Sequence, residues 1–189
     1  MSGTPATNAL LEQVTATALR LFDAAACSIA LIDDDQLVYT HASGQGAEVI
    51  VGTRMSLIRG IAGWAVSSGQ PVAISDVRGD PRFAHDVAES TGYIPQAIVA
   101  APLQTDRGTY GVLSVLDPAV SGVVSDRLLE LAALFAQQAA IAVQAAQMTV
   151  PGDGPHGDIQ ALVQELTDEQ AHAVAEMIRA FLRYSRPSS

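Results

Sequence analysis

Apolar and polar positions alternate most clearly near the middle of the chain. Two apolar runs, Ala97–Leu103 and Tyr110–Leu116, flank the polar segment Asp106–Gly108. Both runs are rich in small and β-branched residues, as buried strands are, and glycine in a short polar connection tolerates positive φ. The pattern predicts an antiparallel hairpin. Because proline cannot donate a ladder hydrogen bond, we expect the first strand to end or bend near Pro102.

The two faces of this hairpin differ in side-chain size, since side chains alternate along a strand. One face carries the bulky Val99, Leu113 and Val115. The other face carries the small Ala100 and Ser114. A bulky face packs directly on helices, whereas a small, slightly polar face leaves room for another component.

A second hairpin with the same asymmetry is predicted nearer the N-terminus. Its strands are Cys27–Ile32 and Gln36–His41, joined by the acidic turn Asp33–Asp35. The first strand again has one bulky and one small face. The bulky face carries Ile29 and Leu31, and the small face carries Ser28 and Ala30.

Helical periodicity and cap residues predict the other elements. Helices are expected over Asn8–Ala25, capped by Asn8, over Arg59–Gly69, over Pro81–Ser90 after Asp80, and over Ser125–Met148, capped by Ser125. Further strands are expected over Val49–Leu57 and Val72–Ser75. The long excursion Asp76–Tyr93 is of a size that is often functional inside a compact domain.

The predicted domain organisation follows from composition. Residues 1–8 read as a flexible tail and residues 9–148 as one domain. Residues 149–157 form a linker rich in Gly and Pro, and residues 158–185 form a helical extension. The extension is expected to hold two helices, Asp158–Leu166 and Asp168–Tyr184, with a capping-box pattern at Thr167 and Gln170.

Composition and charge narrow the function classes. Apolar residues make up 49% of the chain, the net charge is −10, and every cation is Arg. An acidic chain without a basic stripe is not expected to bind nucleic acid. No signal peptide or apolar run long enough for a bilayer is recognised, and Cys27 is the single cysteine, so a reducing cytoplasm without membrane contact is expected.

The order of the segments resembles that of a GAF domain. The segments that carry the resemblance are GIAGWAVSSGQPVAISDVRGDPRF, AIVAAPLQTDRGTYGVLSVLD and the long helix that follows. The resemblance covers about Ala9–Met148. It implies a PAS-like α+β fold with a central antiparallel sheet of five to six strands. The first and last helices would cover one face, and short helices and loops would enclose a ligand pocket on the other.

GAF domains bind cyclic nucleotides, haem, bilins, amino acids or small anions. The resemblance therefore implies a stand-alone sensory or regulatory module that binds a small molecule and signals through its helices to a separate output protein. The cofactor and the ligand stay unassigned. The alternative is a ligand-free dimerisation or protein-interaction scaffold with the same fold.

The candidate ligand-binding residues lie on the small sheet face, on the short helix before the excursion, and in the excursion. They are Ser28, Ala30, Trp64, Ile74, Phe83, His85, Tyr93, Ile98, Ala100 and Ser114. Whether the three aromatic residues line the cavity or fill it stays open at this point. Arg78 and Arg82 suit an anion, but pairing with Asp76, Asp80 or Asp86 is favoured.

Catalysis is not expected. GAF-type methionine sulfoxide reductases work with several cysteines, whereas Cys27 has no resolving partner in the chain and reads as a structural thiol. His85 lies where haem-binding relatives carry an axial histidine, but its surroundings do not match closely. No metal-ligand motif is recognised.

A homodimer is also expected. The first and last helices of the domain carry more apolar surface than one packing interface needs. The additional apolar residues are Leu10 beside Leu11 in the first helix, and Leu129 and Ala133 beside the stripe Leu128–Phe135 in the last. GAF domains commonly dimerise through these helices. The C-terminal extension would then cap the helical interface or cross to the other subunit.

Overall fold

A computed structural model of the chain describes residues 5–119 and 126–148. The helices are α1 (Pro5–Leu21), α2 (Ala47–Ile50), α3 (Gly60–Ser68), α4 (His85–Ser90) and α5 (Asp126–Met148). The strands are β1 (Ala26–Asp33), β2 (Gln36–Gly44), β3 (Arg54–Ser56), β4 (Val72–Ile74), β5 (Ile98–Thr105) and β6 (Gly108–Leu116). A 3₁₀ turn covers Val77–Gly79.

The six strands form one antiparallel sheet in the order β3-β2-β1-β6-β5-β4. Both predicted hairpins are present, and β1 pairs with β6 at the centre of the sheet. The sheet thus joins the two strands whose small faces were predicted from the sequence. The expected antiparallel α+β fold is confirmed.

The bulky face of the sheet packs on α1 and α5. Buried residues of both helices, including Leu11, Ala18 and Leu128, contact a strand surface that includes Ile29 and Leu113. The Phe22 and Phe135 rings meet edge to face, with ring centres 6.1 Å apart. This apolar core holds the sheet rigid beneath the opposite, cavity-bearing face.

The small face of the sheet is partly covered by α3. Ile61 and Ala65 of this helix share a buried cluster with Ala30, Ala100 and Val112 of the strands. Alanine at the two strand positions lets the helix approach closely, because a larger side chain would hold it away from the sheet. Gly69 ends α3 in the left-handed conformation, as its position predicts.

Two predicted helix starts are wrong. α1 is already helical at Pro5, so Asn8 lies inside the helix and does not cap it. The helix predicted from Pro81 begins only at His85, because the Asp80 carboxylate accepts hydrogen bonds from the backbone and side chain of Arg82 and holds a turn.

The strand predicted over Val49–Leu57 is wrong in its first half. Gly46 and Gly52 have φ of 71° and 90°, and these left-handed residues frame the short helix α2. Only β3 remains as a strand. Pro102 also does not end its strand: β5 continues to Thr105, with an irregular register at Leu103/Gln104.

Among the described residues, one helix, Arg127–Met148, is long and apolar enough by length and composition to cross a membrane. In the structure Leu128, Ala132, Ala136 and Val143 of this helix lie buried in the core beneath the sheet. A core helix meets the same length and hydropathy criteria, so this finding assigns no location.

The Ser125 cap, the linker and the C-terminal helices lie outside the described residues, and the domain limits stay predictions. A division between two units of the chain falls between Gln147 and Met148. All elements of the sheet and its covering helices, up to Gln147, belong to the first unit.

Candidate functional site

A row of residues in register crosses five strands of the sheet, and all of them but Val72 have small side chains. In register these are Ala42 of β2, Ser28 of β1, Ser114 of β6, Ala100 of β5 and Val72 of β4. α3 covers β5 and β6, so the Ala100 end of the row is filled. The end at Ser28 and Ser114 is not filled by α3, and a cavity lies there.

The cavity has a volume of about 90 Å³. Its floor, formed by strand residues, and its roof, formed by α3 and the excursion, are largely apolar. The floor includes Ala26, Ser28, Ala42, Ile98, Ser114 and Leu116. The roof includes Ile61, Ala62, Phe83, Ala84, Val87 and Tyr93.

The end of α4 rests directly on the turn before α2. A Cβ at Gly46 would lie 3.0 Å from Thr91 Cβ, and Gly46 also has a φ of 71°, so glycine suits this close approach. The Arg59 guanidinium donates to the Asp86 carboxylate and joins the start of α3 to α4. This ion pair holds the pKa of Asp86 below its usual range. These contacts join the excursion to the turn before α2 and to the start of α3.

Ser114 is the chemically distinctive residue of the cavity floor. It is 4% exposed, and among the described residues its hydroxyl is the one buried side-chain polar atom without a hydrogen-bond partner. An unsatisfied buried hydroxyl costs about 1–3 kcal/mol. Such groups usually have a partner, a ligand or ordered water included. By contrast, Ser43, also at the cavity, bonds Thr15 Oγ1 at 3.0 Å.

Tyr93 connects the cavity roof to the end of β6. Its phenol donates to the carboxylate of Asp117, which also accepts from the backbone N–H groups of Gln96 at 2.8 Å and Ala97 at 2.6 Å. Burial and this bond raise the pKa of Tyr93 to about 12, so the phenol stays a donor at neutral pH. Asp117 thereby links the end of the excursion to the sheet.

Half of the sequence-predicted site residues meet at the cavity. Ser28, Phe83, Tyr93, Ile98 and Ser114 line it. Phe83 and Tyr93 are thus the two of the three predicted aromatic residues that lie at the cavity.

The other predicted residues lie away from the cavity. Ala30 and Ala100 are buried with α3, because small strand residues allow close helix packing as well as open space. Ile74 packs against the same cluster from β4. His85 is exposed at the start of α4 and meets the Phe83 ring edge to face at 4.7 Å.

Trp64 belongs to a separate outer cluster. It is 38% exposed, and the Arg82 guanidinium lies 4.9 Å from its ring centre. Arg82 is held by Asp80 through bonds of 2.9 and 2.5 Å, and this contact lowers the pKa of Asp80 to about 2. The predicted pairing of Arg82 with an acidic neighbour is confirmed, and the arginine is not turned towards the cavity.

Residues with redox or metal chemistry do not form a centre in the described part of the chain. Cys27 is fully buried, and burial raises its pKa to about 12, so the thiol stays protonated at neutral pH. Within residues 5–119 and 126–148, no group of three or more His, Cys, Asp or Glu side chains could hold a metal ion.

Sequence reasoning missed the β2 side of the cavity. Tyr39, Ala42 and Met55 line it, although strict alternation does not place Tyr39 and Ala42 on one face. A register shift at Ile29/Ala30 opposite β2 pairs Ser28 with Ala42 and Ala30 with Tyr39. The extra residue of this β-bulge reverses the alternation between them.

Comparisons with known proteins identify the family. The family model of the GAF domain matches residues 7–143. The chain belongs to the GAF domain family, whose members are generally sensory or regulatory modules.

Solved GAF structures share the fold. The GAF domain of a phosphoenolpyruvate-protein phosphotransferase from Coxiella burnetii is 19% identical, with a TM-score of 0.68 over 76% of this chain and 86% of that chain. The GAF-B domain of DevS from Mycobacterium smegmatis is 20% identical, with a TM-score of 0.60 over 75% and 95%.

An enzyme is also among the similar structures. The free methionine-R-sulfoxide reductase of Neisseria meningitidis, solved in complex with its substrate, is 23% identical, with a TM-score of 0.61 over 76% of this chain and 81% of that chain. At these identities the likeness shows the fold alone.

Proposed function

We propose that this chain is a regulatory GAF module that binds a small molecule in the cavity above Ser28 and Ser114. The observation that carries the proposal is the buried, unpartnered hydroxyl of Ser114 on the floor of an otherwise apolar cavity. A mostly apolar cavity with a few placed polar groups is the usual form of a small-molecule site. A bound molecule would satisfy the hydroxyl.

The contacts of Tyr93 suggest how occupancy reaches the helices. Tyr93 forms part of the cavity roof and bonds Asp117, which directly follows β6 and precedes the connection to α5. A ligand that moves Tyr93 therefore acts on the segment that leads into α5. We propose that α1 and α5 present this change to a separate output protein.

Binding is favoured over catalysis. The protonated, fully buried thiol of Cys27 is a poor nucleophile, because the thiolate is the reactive form. The phenol of Tyr93, with its pKa of about 12, is likewise a donor and not a base at neutral pH. The polar groups of the cavity are thus suited to holding a ligand.

The proposed binding is tested by thermal unfolding in a low-molecular-weight extract of the native organism. A ligand that binds the folded state at 100 times its Kd stabilises it by about 2.7 kcal/mol, which raises Tm by roughly 5–10 °C for a chain of this size. We expect such a shift in an active fraction of the extract. If no fraction raises Tm, the sensor proposal fails.

One observation favours a ligand-free scaffold as the second candidate. Small-molecule sites commonly enclose about 300–1,000 Å³, whereas this cavity has about 90 Å³. Phe83, Tyr93 and Ile98 already occupy part of the space between sheet and excursion. In a scaffold, the fold would serve to present α1 and α5 for association.

We further propose that the module is a homodimer that uses these two helices. Leu10 of α1 is 47% exposed and Leu134 of α5 is 49% exposed, although the other faces of both helices fill the core. Large apolar side chains left exposed on two helices that pack into the same core are suited to a two-fold interface. The family membership is compatible with such a dimer.

Light scattering of the full chain checks the dimer. We expect a mass of twice 19.7 kDa for the natural chain and a lower mass for Leu134→Arg, because a buried arginine would lack a counter-charge. Val49→Arg, at a residue 55% exposed on α2, is the matched control and should remain dimeric. A monomer at tens of micromolar would contradict the proposal.

The proposed location is the cytoplasm. A buried reduced thiol at Cys27 suits a reducing compartment. The packing of α5 against the sheet gives this apolar helix a protein partner on one face, and the proposed dimer would give it a second.

A further inference from the structure

We infer that the ligand of this cavity is a small uncharged molecule of at most about six non-hydrogen atoms, with an apolar body and one hydrogen-bonding group that meets Ser114. The inference rests on the proposed function, because it names the ligand class of the same site. It is drawn from the charge, volume and polar groups of the cavity.

The charge of the ligand follows from the lining. None of the described residues that line the cavity carries an ionised side chain: the polar groups are serine, threonine, tyrosine and glutamine, and the rest are apolar. Burying an ionised group without a partner costs far more than burying a hydrogen-bonded neutral one. The carboxylate of Asp117, which Tyr93 contacts, is already engaged with that phenol and two backbone N–H groups. An ion would therefore meet no opposite charge on the lining side chains, only neutral polar groups and the backbone of the first turn of α3.

The size of the ligand follows from the volume. A dry apolar cavity of about 150 Å³ in another protein holds benzene. This cavity, at about 90 Å³, is smaller. A molecule of about six non-hydrogen atoms is therefore the upper limit while the walls keep their positions. Haem, bilins and cyclic nucleotides are too large for this space.

The polar end of the ligand follows from Ser114. Its hydroxyl is the unpartnered buried atom, and rotation about a single bond between staggered positions redirects it. A hydroxyl both donates and accepts, so an amide, alcohol or ketone satisfies it equally well. Ser28, directly opposite on β1, offers a second hydroxyl at the cavity floor.

A matched pair of probes tests the inference. Isobutyramide and isobutyrate have the same shape and the same number of non-hydrogen atoms, but only the second is charged at neutral pH. Both are titrated into the full chain while the amide NMR signals of Ser28 and Ser114 are followed. We expect isobutyramide to shift these signals with a Kd at least tenfold lower than that of isobutyrate.

Two variants separate a specific contact from general partitioning into the cavity. Ser114→Ala should weaken isobutyramide binding about fivefold, the value of one typical hydrogen bond, without lowering the unfolding midpoint, since the hydroxyl has no partner to lose. Ser67→Ala removes a hydroxyl that lies away from the cavity and donates to the Gly63 carbonyl, so it should leave the affinity unchanged. Equal losses in both variants would refute the role of Ser114.

The remaining outcomes distinguish this inference from the proposed function. Isobutyrate binding as tightly as isobutyramide would overturn the ligand class while leaving a small-molecule site in place. If neither probe binds but an extract fraction still raises Tm, the inference fails alone. If neither probe binds and no fraction raises Tm, an ordered water at Ser114 is the remaining partner and both proposals fall.

Discussion

Replacing Asp117 by alanine is expected to lower the free energy of unfolding by about 3 kcal/mol. The carboxylate accepts three hydrogen bonds, from the Tyr93 phenol and from the backbone N–H groups of Gln96 and Ala97. Hydrogen bonds to a charged group contribute about 1.5–3 kcal/mol each. The partial exposure of the site reduces the sum. Alanine also fits poorly at the φ of 47° that Asp117 adopts.

A separate variant controls for the part of this loss in unfolding free energy that comes from the positive φ. Asp34 shares a positive φ of 55° but lies exposed in the turn between β1 and β2. Asp34→Ala therefore measures the cost of left-handed backbone alone, expected at about 1 kcal/mol. The free energies of unfolding of the two variants are compared by urea denaturation, with the same m value, the slope against denaturant concentration, for both. Equal losses would show that the Asp117 carboxylate does not hold the excursion onto the sheet.

A third variant isolates the link to the cavity. Tyr93→Phe removes only the phenol and should cost about 1 kcal/mol. If Tyr93 transmits occupancy as proposed, the ligand-induced change at α5 is lost in this variant while binding persists. Unchanged transmission would place the route elsewhere in the excursion.

The sequence predicted the sheet well where local patterns and packing agree. In β5 and β6 the bulky Val99, Leu113 and Val115 share one face, Ala100 and Ser114 share the other, and a short glycine-containing turn joins the strands, so their pairing and faces followed directly. It failed over residues 49–57, where an apolar run resembles a strand. There the left-handed backbone of Gly46 and Gly52 favours the short helix α2 over a strand.

The candidate site was only half predictable, for a physical reason. Small residues on a sheet face serve either close helix packing or an open cavity, and the sequence does not distinguish the two. Ala100 serves the first and Ser114 the second, because α3 covers β5 and β6 but leaves the Ser28 side open. Tyr39 was missed because a β-bulge arises from the pairing of two strands, and the sequence of either strand alone does not reveal it.

Replacing Ser114 by leucine is expected to abolish ligand binding altogether. The new side chain would enter a cavity of about 90 Å³ and leave too little space for a ligand. It would also remove the unpartnered hydroxyl, so stability should hold or rise unless the site is overpacked, which costs about 1–3 kcal/mol. Ser114→Val fills the cavity less fully and replaces the leucine variant if leucine overpacks the site. Ser67→Leu, at an exposed position of α3, controls for the added apolar surface.

Native mass spectrometry of the chain purified from its own organism tests the cavity most directly. The natural chain and Ser67→Leu should each retain a small uncharged molecule, seen as the same added mass that is lost on activation. Ser114→Leu, folded and of the same oligomeric state, should show only the mass of the polypeptide. An added mass retained equally by Ser114→Leu, or no added mass on the natural chain, would contradict a ligand site above Ser28 and Ser114.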